Sequence, residues 1–272
     1  MAKYSALMSV YFKENPLVME ETLKSIFKQT VLCDELVLVE DGPLTDGLNE
    51  LIDKYQKKYP DIIKVVKLEK NMGLGPALKE GILNCSNELI ARFDSDDISV
   101  SDRCEKQLIE FSKDKDLGMV GSNHIEFIDN IDNIVAYKNL PSSDSDIKKY
   151  AKGRNPFSHS AIMYKKSIVL KAGNYREYYY LEDYDLWVRM INVGCKCLNI
   201  NEYLSYVRVS KDLYKRRGGI KYLKSILKFK KELYKSGFYS FKDYAISSIS
   251  HTIVCLMPGT LRQFVYKKLL RK

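Results

Sequence analysis

Apolar positions in the first hundred residues come in short unbroken runs, separated by longer stretches with helical spacing. Residues 4–11 form one such run, suited to a strand buried on both faces. Asn15-Pro16 then supplies a helix N-cap and a proline at the first helical position, with Leu17, Leu23, Ile26 and Phe27 spaced along one helix. Residues 35–39 read as a second strand, 48–59 as a helix and 62–68 as a third strand. A Gly- and Pro-containing loop at 71–76 precedes a helix over 77–83 and a fourth strand over 88–93. Strands alternating with helices predict right-handed βαβ units and an open parallel sheet.

Beyond residue 100 the pattern loosens. It predicts a helix over 102–111, a strand over 118–124, and a hairpin over 125–137 turning near 130–133. A strand over 160–164, a short helix over 166–171 ended by Gly173, a helix over 184–192 and a last strand over 203–209 follow. Residues 220–235 and 241–257 read as helices, with a terminal helix after Pro258. The uncharged stretch 244–258, ended by Pro258, is too short to span a bilayer.

Charge divides the chain in two. Residues 211–272 hold 16 Lys or Arg against 3 Asp or Glu, whereas residues 1–210 hold 28 against 32. All the excess positive charge therefore lies in the tail, which points to an anionic partner such as a membrane surface. Tyr222, Leu223, Ile226, Leu227 and Leu233 give the first tail helix an apolar face, as in an interfacial helix on anionic lipid. Packing of that face on the chain's own domain is the alternative. No nucleic-acid-binding motif accompanies the charge, so a nucleic-acid partner is not expected.

The six cysteines form no C-x-x-C pair, and the N-terminus has no basic, apolar and cleavage-site regions in sequence. A reducing, cytoplasmic setting without disulfides is expected.

Candidate chemistry sits at strand ends, where open parallel sheets bind ligands. Glu40-Asp41 follows the second strand and Asp94-Ser95-Asp96-Asp97 the fourth. Three carboxylates within four residues repel one another unless a cation or donors compensate them. Hard divalent ions combine one or two such carboxylates with substrate phosphates, so a metal-bridged nucleotide diphosphate suits the cluster. A helix N-cap cluster is the plainer alternative. A second acidic group, Glu182-Asp183-Tyr184-Asp185, opens a predicted helix. Its members can be caps, or a general base in a partly aromatic pocket.

Taken together these segments resemble the family 2 glycosyltransferases. The motifs are Met8-Ser9-Val10-Tyr11, Ser25-Ile26-Phe27-Lys28-Gln29-Thr30, Glu40-Asp41-Gly42, Asn71-x-Gly73-Leu74, Asp94-Ser95-Asp96-Asp97 and Glu182 through Arg189, in family order. The resemblance implies an α/β fold of the GT-A type: a Rossmann-like, mixed but mainly parallel sheet flanked by helices. That domain would span 1–210, with a basic helical tail over 211–272. It implies an inverting, non-processive enzyme moving a sugar from a nucleotide diphosphate sugar, a UDP-sugar foremost, to a hydroxyl. The acceptor class, a lipid-linked saccharide of bacterial surface polysaccharide synthesis at the inner face of the membrane, follows from the family and the tail.

The resemblance also assigns residues. Ser9 and Asp41 contact the nucleotide base. Asp94, Asp96 and Asp97 hold ribose, diphosphate and a divalent metal, Mn²⁺ or Mg²⁺. Asp183 is the base that deprotonates the acceptor, and Glu182 helps position acceptor or base. Arg208, with Lys215-Arg216-Arg217, is a candidate to close over the diphosphate, and His159 to line the acceptor pocket or serve as a structural histidine. Arg92 reads as structural. Pro43 and Lys79 depart from the family pattern, and the Q-x-x-R-W motif of processive synthases is absent. A nucleotidyltransferase is the rival enzyme class, but residues 8–16 contain no glycine for a phosphate loop. A non-catalytic nucleotide-sugar-binding protein is the other rival; it predicts loss of the carboxylates, all of which are present.

Overall fold

The protein, known here through a computed structural model, is described over residues 2–210 and 219–257. Its frame is one nine-stranded mixed sheet. β1 (Tyr4–Val10) lies between β2 (Glu35–Glu40) and β4 (Leu89–Phe93), and β3 (Ile63–Lys67) flanks β2; these four are parallel. All seven residues of β1 and all five of β4 are buried, as expected for parallel strands covered by helices on both faces. β5 (Ile98–Ser99) closes the far edge against the end of β9 (Lys196–Arg208), which runs parallel to β6 (Leu117–Ile128). β7 (Asn130–Lys138) folds back on β6, and β8 (Met163–Lys165) joins β6 to β4 in antiparallel register.

Asn15 caps α1 (Pro16–Phe27), its Oδ1 accepting from Leu17 N at 2.9 Å. α2 (Asp46–Lys58) packs beside α1 on one face of the sheet. α3 (Leu74–Asn84) covers the other face and starts three residues earlier than expected. Pro76 lies in its first turn, where a missing N–H costs no hydrogen bond. α4 (Arg103–Lys113) and α6 (Lys166–Lys171) fall close to the expected positions. α5 (Asp144–Tyr150) was not anticipated; it is short, capped by Ser143, and buries only Ile147. The hairpin turns at Asp129, which adopts a φ of 58°, slightly earlier than expected. The strand expected over 160–164 is a 3₁₀ turn, His159–Ala161, followed by β8.

α7 (Glu182–Asn192), α8 (Gly219–Lys235) and α9 (Phe241–Leu256) pack in sequence. The apolar face of α8 lies against α7: Ile226, Phe229 and Leu233 share a core with Leu181, Tyr184, Val188 and Tyr239, with Leu223 and Leu227 packed at its margin. The apolar residues expected to face lipid are thus spent within the protein. The terminal helix expected after Pro258, and Lys215-Arg216-Arg217, lie outside the described residues.

Between α8 and α9, Lys230 is buried and its ammonium donates to Ser247 O, to Ser247 Oγ at 2.7 Å and to His251 Nδ1 at 2.6 Å. With only neutral acceptors, burial pulls its pKa down to about 7 from 10.5. Between those values the unfolded chain binds a proton the native state has released, so Lys230 makes stability rise with pH across that window. Replacing Lys230 by methionine is therefore expected to remove that rise. Urea midpoints of both proteins at pH 6 and pH 9 measure it, and equal pH dependence in the two would count against a neutralised Lys230.

Candidate active site

The carboxyl ends of β1, β2 and β4 gather the acidic segments on one edge. Asp41 follows β2 directly, its N–H donating to Val10 O at 2.8 Å. The Asp41 carboxylate accepts from Met72 N at 2.7 Å, Gly73 N at 3.0 Å and Asn71 Nδ2 at 2.9 Å. It therefore clamps the loop before α3, leaving about one of its four lone-pair positions for a base donor. Gly42 makes this approach possible: with φ at 84°, any Cβ would overlap Asn71 N. Ser9 is buried in β1 beside Val39, one residue before the strand ends.

The turn Asp94-Ser95-Asp96-Asp97 follows β4. Arg92, fully buried within β4, brings Nη1 to 2.6 Å from Asp94 Oδ1, while its Nε and Nη2 find no hydrogen-bond partner among the described residues. Thr22 on α1 donates its hydroxyl to Ser95 O at 3.0 Å and Asp97 O at 2.8 Å, and Ser95 Oγ donates to Glu14. Ser25 and Gln29 continue this brace by accepting from Ser99 N and Cys104 N. The segment Ser25 to Thr30 thus acts as scaffold for the acidic turn. Buried Arg103 ties the turn to the strands behind it, donating to Ser99 Oγ, Ser160 O and Arg92 O.

Asp97 faces inward and accepts from Arg208 N at 2.7 Å. Asp94 and Asp96 are the members left half-exposed to the cleft. Arg208 sits at the end of β9 with its guanidinium over the Phe127 ring. It donates to Asp96 O, Asp129 O and Glu21 Oε2. Its donors brace the acidic turn from the protein side.

Glu182 and Asp183 open α7, after Tyr180 turns the chain with a φ of 61°. Asn155 Nδ2 donates to Asp183 Oδ2 at 2.6 Å, and Tyr184 N to Asp183 Oδ1. Asn155 was missed as a partner because 28 residues separate it from Asp183. His159 is half-buried: its Nε2 pairs with the Tyr175 hydroxyl at 3.0 Å, and desolvation, reinforced by Arg92, lowers its pKa well below the ordinary histidine value. Asp185 is buried within α7 and pairs with Arg189 one turn on, accepting from its Nε and Nη2, so it does not cap the helix.

The carboxyls here repel one another. Burial, then Asp94 and Glu14, pushes Asp96 up to about 7; burial, then Asp183 and Asp94, pushes Glu182 up to about 8. Burial and the neighbouring aspartates also raise Asp97. Among the described residues Arg92 compensates these carboxyls only in part, and an incoming cation would favour their ionised forms. Among the described residues no three His, Cys, Asp or Glu side chains are grouped to hold a metal alone. Two oxygen-donor carboxylates nevertheless suit a hard divalent ion whose remaining ligands are phosphates and water.

The comparisons with known proteins decide the family. The model of Glycosyl transferase family 2 matches residues 5–172. The chain is a family 2 glycosyltransferase. Over 270 residues it is 40% identical to a UDP-Gal:alpha-D-GlcNAc-diphosphoundecaprenol beta-1,3-galactosyltransferase of Escherichia coli, spanning 99% of this chain and 97% of that one. It is also 36% identical to the amylovoran biosynthesis glycosyltransferase AmsE of Erwinia amylovora, over 97% and 98% of the two chains. Among solved structures this glycosyltransferase is similar to the mannosyltransferase PcManGT from Pyrobaculum calidifontis in complex with GDP-Man and Mn2+. The TM-score there is 0.66 at 13% identity, covering 98% of this chain and 80% of that one. GalNAc-T7 with UDP, GalNAc and Mn2+ gives a TM-score of 0.71 at 15% identity, over 98% and 54%. The mixed sheet is accordingly the GT-A fold anticipated from the motifs.

Proposed function

We propose that this glycosyltransferase moves galactose from UDP-galactose, with inversion, to a hydroxyl of an N-acetylglucosamine-diphospholipid in bacterial surface polysaccharide synthesis, at the cytoplasmic face of the membrane. The observation that carries the chemistry is the meeting, on one sheet edge, of Asp41, the Asp94–Asp96 turn and the Glu182-Asp183 helix start. The galactosyltransferase relative, matched along nearly its whole length, supports the choice of donor and acceptor.

Asp41 and Ser9 receive the base. Asp94 and Asp96 would hold Mn²⁺ or Mg²⁺, which neutralises charge on the departing diphosphate when bound. Asp183, steadied by Asn155, takes the proton of the acceptor hydroxyl as that oxygen attacks the anomeric carbon from the face opposite the diphosphate. One catalytic carboxylate then suffices, unlike the pair in a glycoside hydrolase. Glu182, raised to about 8 by burial and its acidic neighbours, positions the acceptor or the base rather than taking the proton.

Calorimetry with UDP, GDP, dTDP and CMP, each with Mn²⁺ and with EDTA, tests the donor. UDP is expected to bind only with metal. Asp96→Ala is expected to weaken that binding about tenfold or more, since losing a charged contact costs about 1.5–3 kcal/mol. Unchanged affinity would remove Asp96 from the metal assignment, and preference for another diphosphate would move the donor class. Transfer from UDP-galactose to a synthetic N-acetylglucosamine-diphospho-alkyl acceptor tests the reaction.

A further inference from the structure

We propose that α9 is the membrane-facing surface of the enzyme, its outer stripe of Ile246, Ile249, Ile253 and Leu256 resting in the headgroup boundary of an anionic lipid leaflet. These side chains are 56%, 62%, 54% and 62% exposed, and successive steps of three, four and three residues keep them on one side of the helix. Phe241, at the start of α9, is 69% exposed. From Tyr244 to Leu256 the helix carries no Asp, Glu, Lys or Arg, and half-buried His251, desolvated beside Lys230, has its pKa lowered to about 4. An exposed apolar row of this length on a helix implies a partner.

Charge selects the partner. The segment 211–272, which contains α9, has a net charge of +13 in sequence, from 16 basic and 3 acidic residues. Two of those acids are occupied within the fold, Glu232 by Tyr178 and Arg176, and Asp243 by Ser240 and Lys152. A second copy seated on the stripe would bring two such tails together against mutual repulsion, whereas an anionic leaflet attracts them. α8 cannot be the lipid-facing helix, since its apolar face is buried on α7.

The packing order gives the surface a purpose. α9 rests on α8, α8 on α7, and α7 begins with Glu182 and Asp183. Further contacts join α8 to the segment leading into that site: Ser225 Oγ donates to Tyr179 O, and the Tyr178 hydroxyl to Glu232. A leaflet under α9 would therefore sit at a fixed distance from the base. This inference rests on the reading of the acceptor as lipid-linked.

Full-length enzyme and its Ile249→Asp/Ile253→Asp variant are to be sedimented with phosphatidylglycerol vesicles and with phosphatidylcholine vesicles, with no substrate present. Wild type is expected to bind the anionic vesicles selectively, and the variant about tenfold or more weakly. Melting temperature and Mn²⁺-dependent UDP binding should be unchanged, because the stripe points outward. Ile249→Ser/Ile253→Ser replaces the pair if the aspartates impair folding. Equal vesicle binding by wild type and variant overturns the proposal. So does a wild-type dimer in light scattering that the variant splits without losing vesicle binding, and so does a marked fall in melting temperature, which would mean the chain itself covers the stripe. Failure of the transfer assay with vesicle binding intact would count against the reaction alone.

Discussion

Replacing Asp183 by asparagine is expected to lower kcat by about 10²–10⁴-fold while leaving Mn²⁺-dependent UDP binding and the melting temperature unchanged. The substitution keeps the volume and an acceptor oxygen for Tyr184 N, so the first turn of α7 can persist. It removes the only feature the base needs, an oxygen able to take a proton. Asn155 sharpens the expectation: its amide donates to Asp183 Oδ2 at 2.6 Å and fixes the carboxylate's orientation without neutralising it. Glu182→Gln is the matched control. Burial and its acidic neighbours raise Glu182 to about 8, and glutamine keeps its size and its capacity to hydrogen-bond. Loss of one hydrogen bond's geometry should cost no more than about tenfold. Reversed outcomes, with Glu182→Gln dead and Asp183→Asn active, would exchange the two roles. Steady-state kinetics beside calorimetry on the same preparations separates chemistry from binding.

The parallel half of the sheet could be read from sequence because each of its strands is a short apolar run bounded by turn residues. β5 could not, being two residues long, nor could α5, whose single buried apolar residue sets up no period. The carboxylates were legible because their signal is local: several acids at a strand end or helix start. Their supports were not, since each lies far away in the chain. Thr22 reaches Asp97 across 75 residues, and Arg208 N reaches Asp97 across 111. Arg208 illustrates the limit, for a basic residue after a last strand looks the same in sequence whether it faces a phosphate or braces a turn. The tail illustrates another: an amphipathic basic helix has one pattern for lipid and for protein. Leu181 before α7, Tyr184 and Val188 on it, and Tyr239 reveal that the apolar face of α8 is already occupied, shifting the unpartnered face to α9.

The same dependence on distant packing makes Gly75→Ala the second large effect. Gly75 lies in the first turn of α3, buried against the chain that leads into the catalytic helix. A Cβ there would overlap the Arg176 carbonyl oxygen, lie 3.1 Å from the Arg176 carbonyl carbon and sit 3.4 Å from Glu182 Cβ. Two of those atoms are backbone, which cannot swing aside as a side chain would, so the segment from Arg176 to Glu182 must move as a unit. A displacement of about 1 Å at reacting groups can cost about 100-fold in rate. The expected result is a kcat reduced to that extent, with UDP binding retained because Asp41, Asp94 and Asp96 sit on other elements. Overpacking costs about 1–3 kcal/mol, partly offset by alanine's helix preference of about 1 kcal/mol over glycine, so the protein should remain folded. Gly47→Ala, in the first turn of α2, is the comparison: its Cβ meets only a Pro16 ring carbon at 3.3 Å. That variant should keep nearly full activity. If Gly75→Ala also did, α3 would not be what fixes Glu182 and Asp183 over the donor, and the rigidity of the site would have to come from the α7–α8 contact alone.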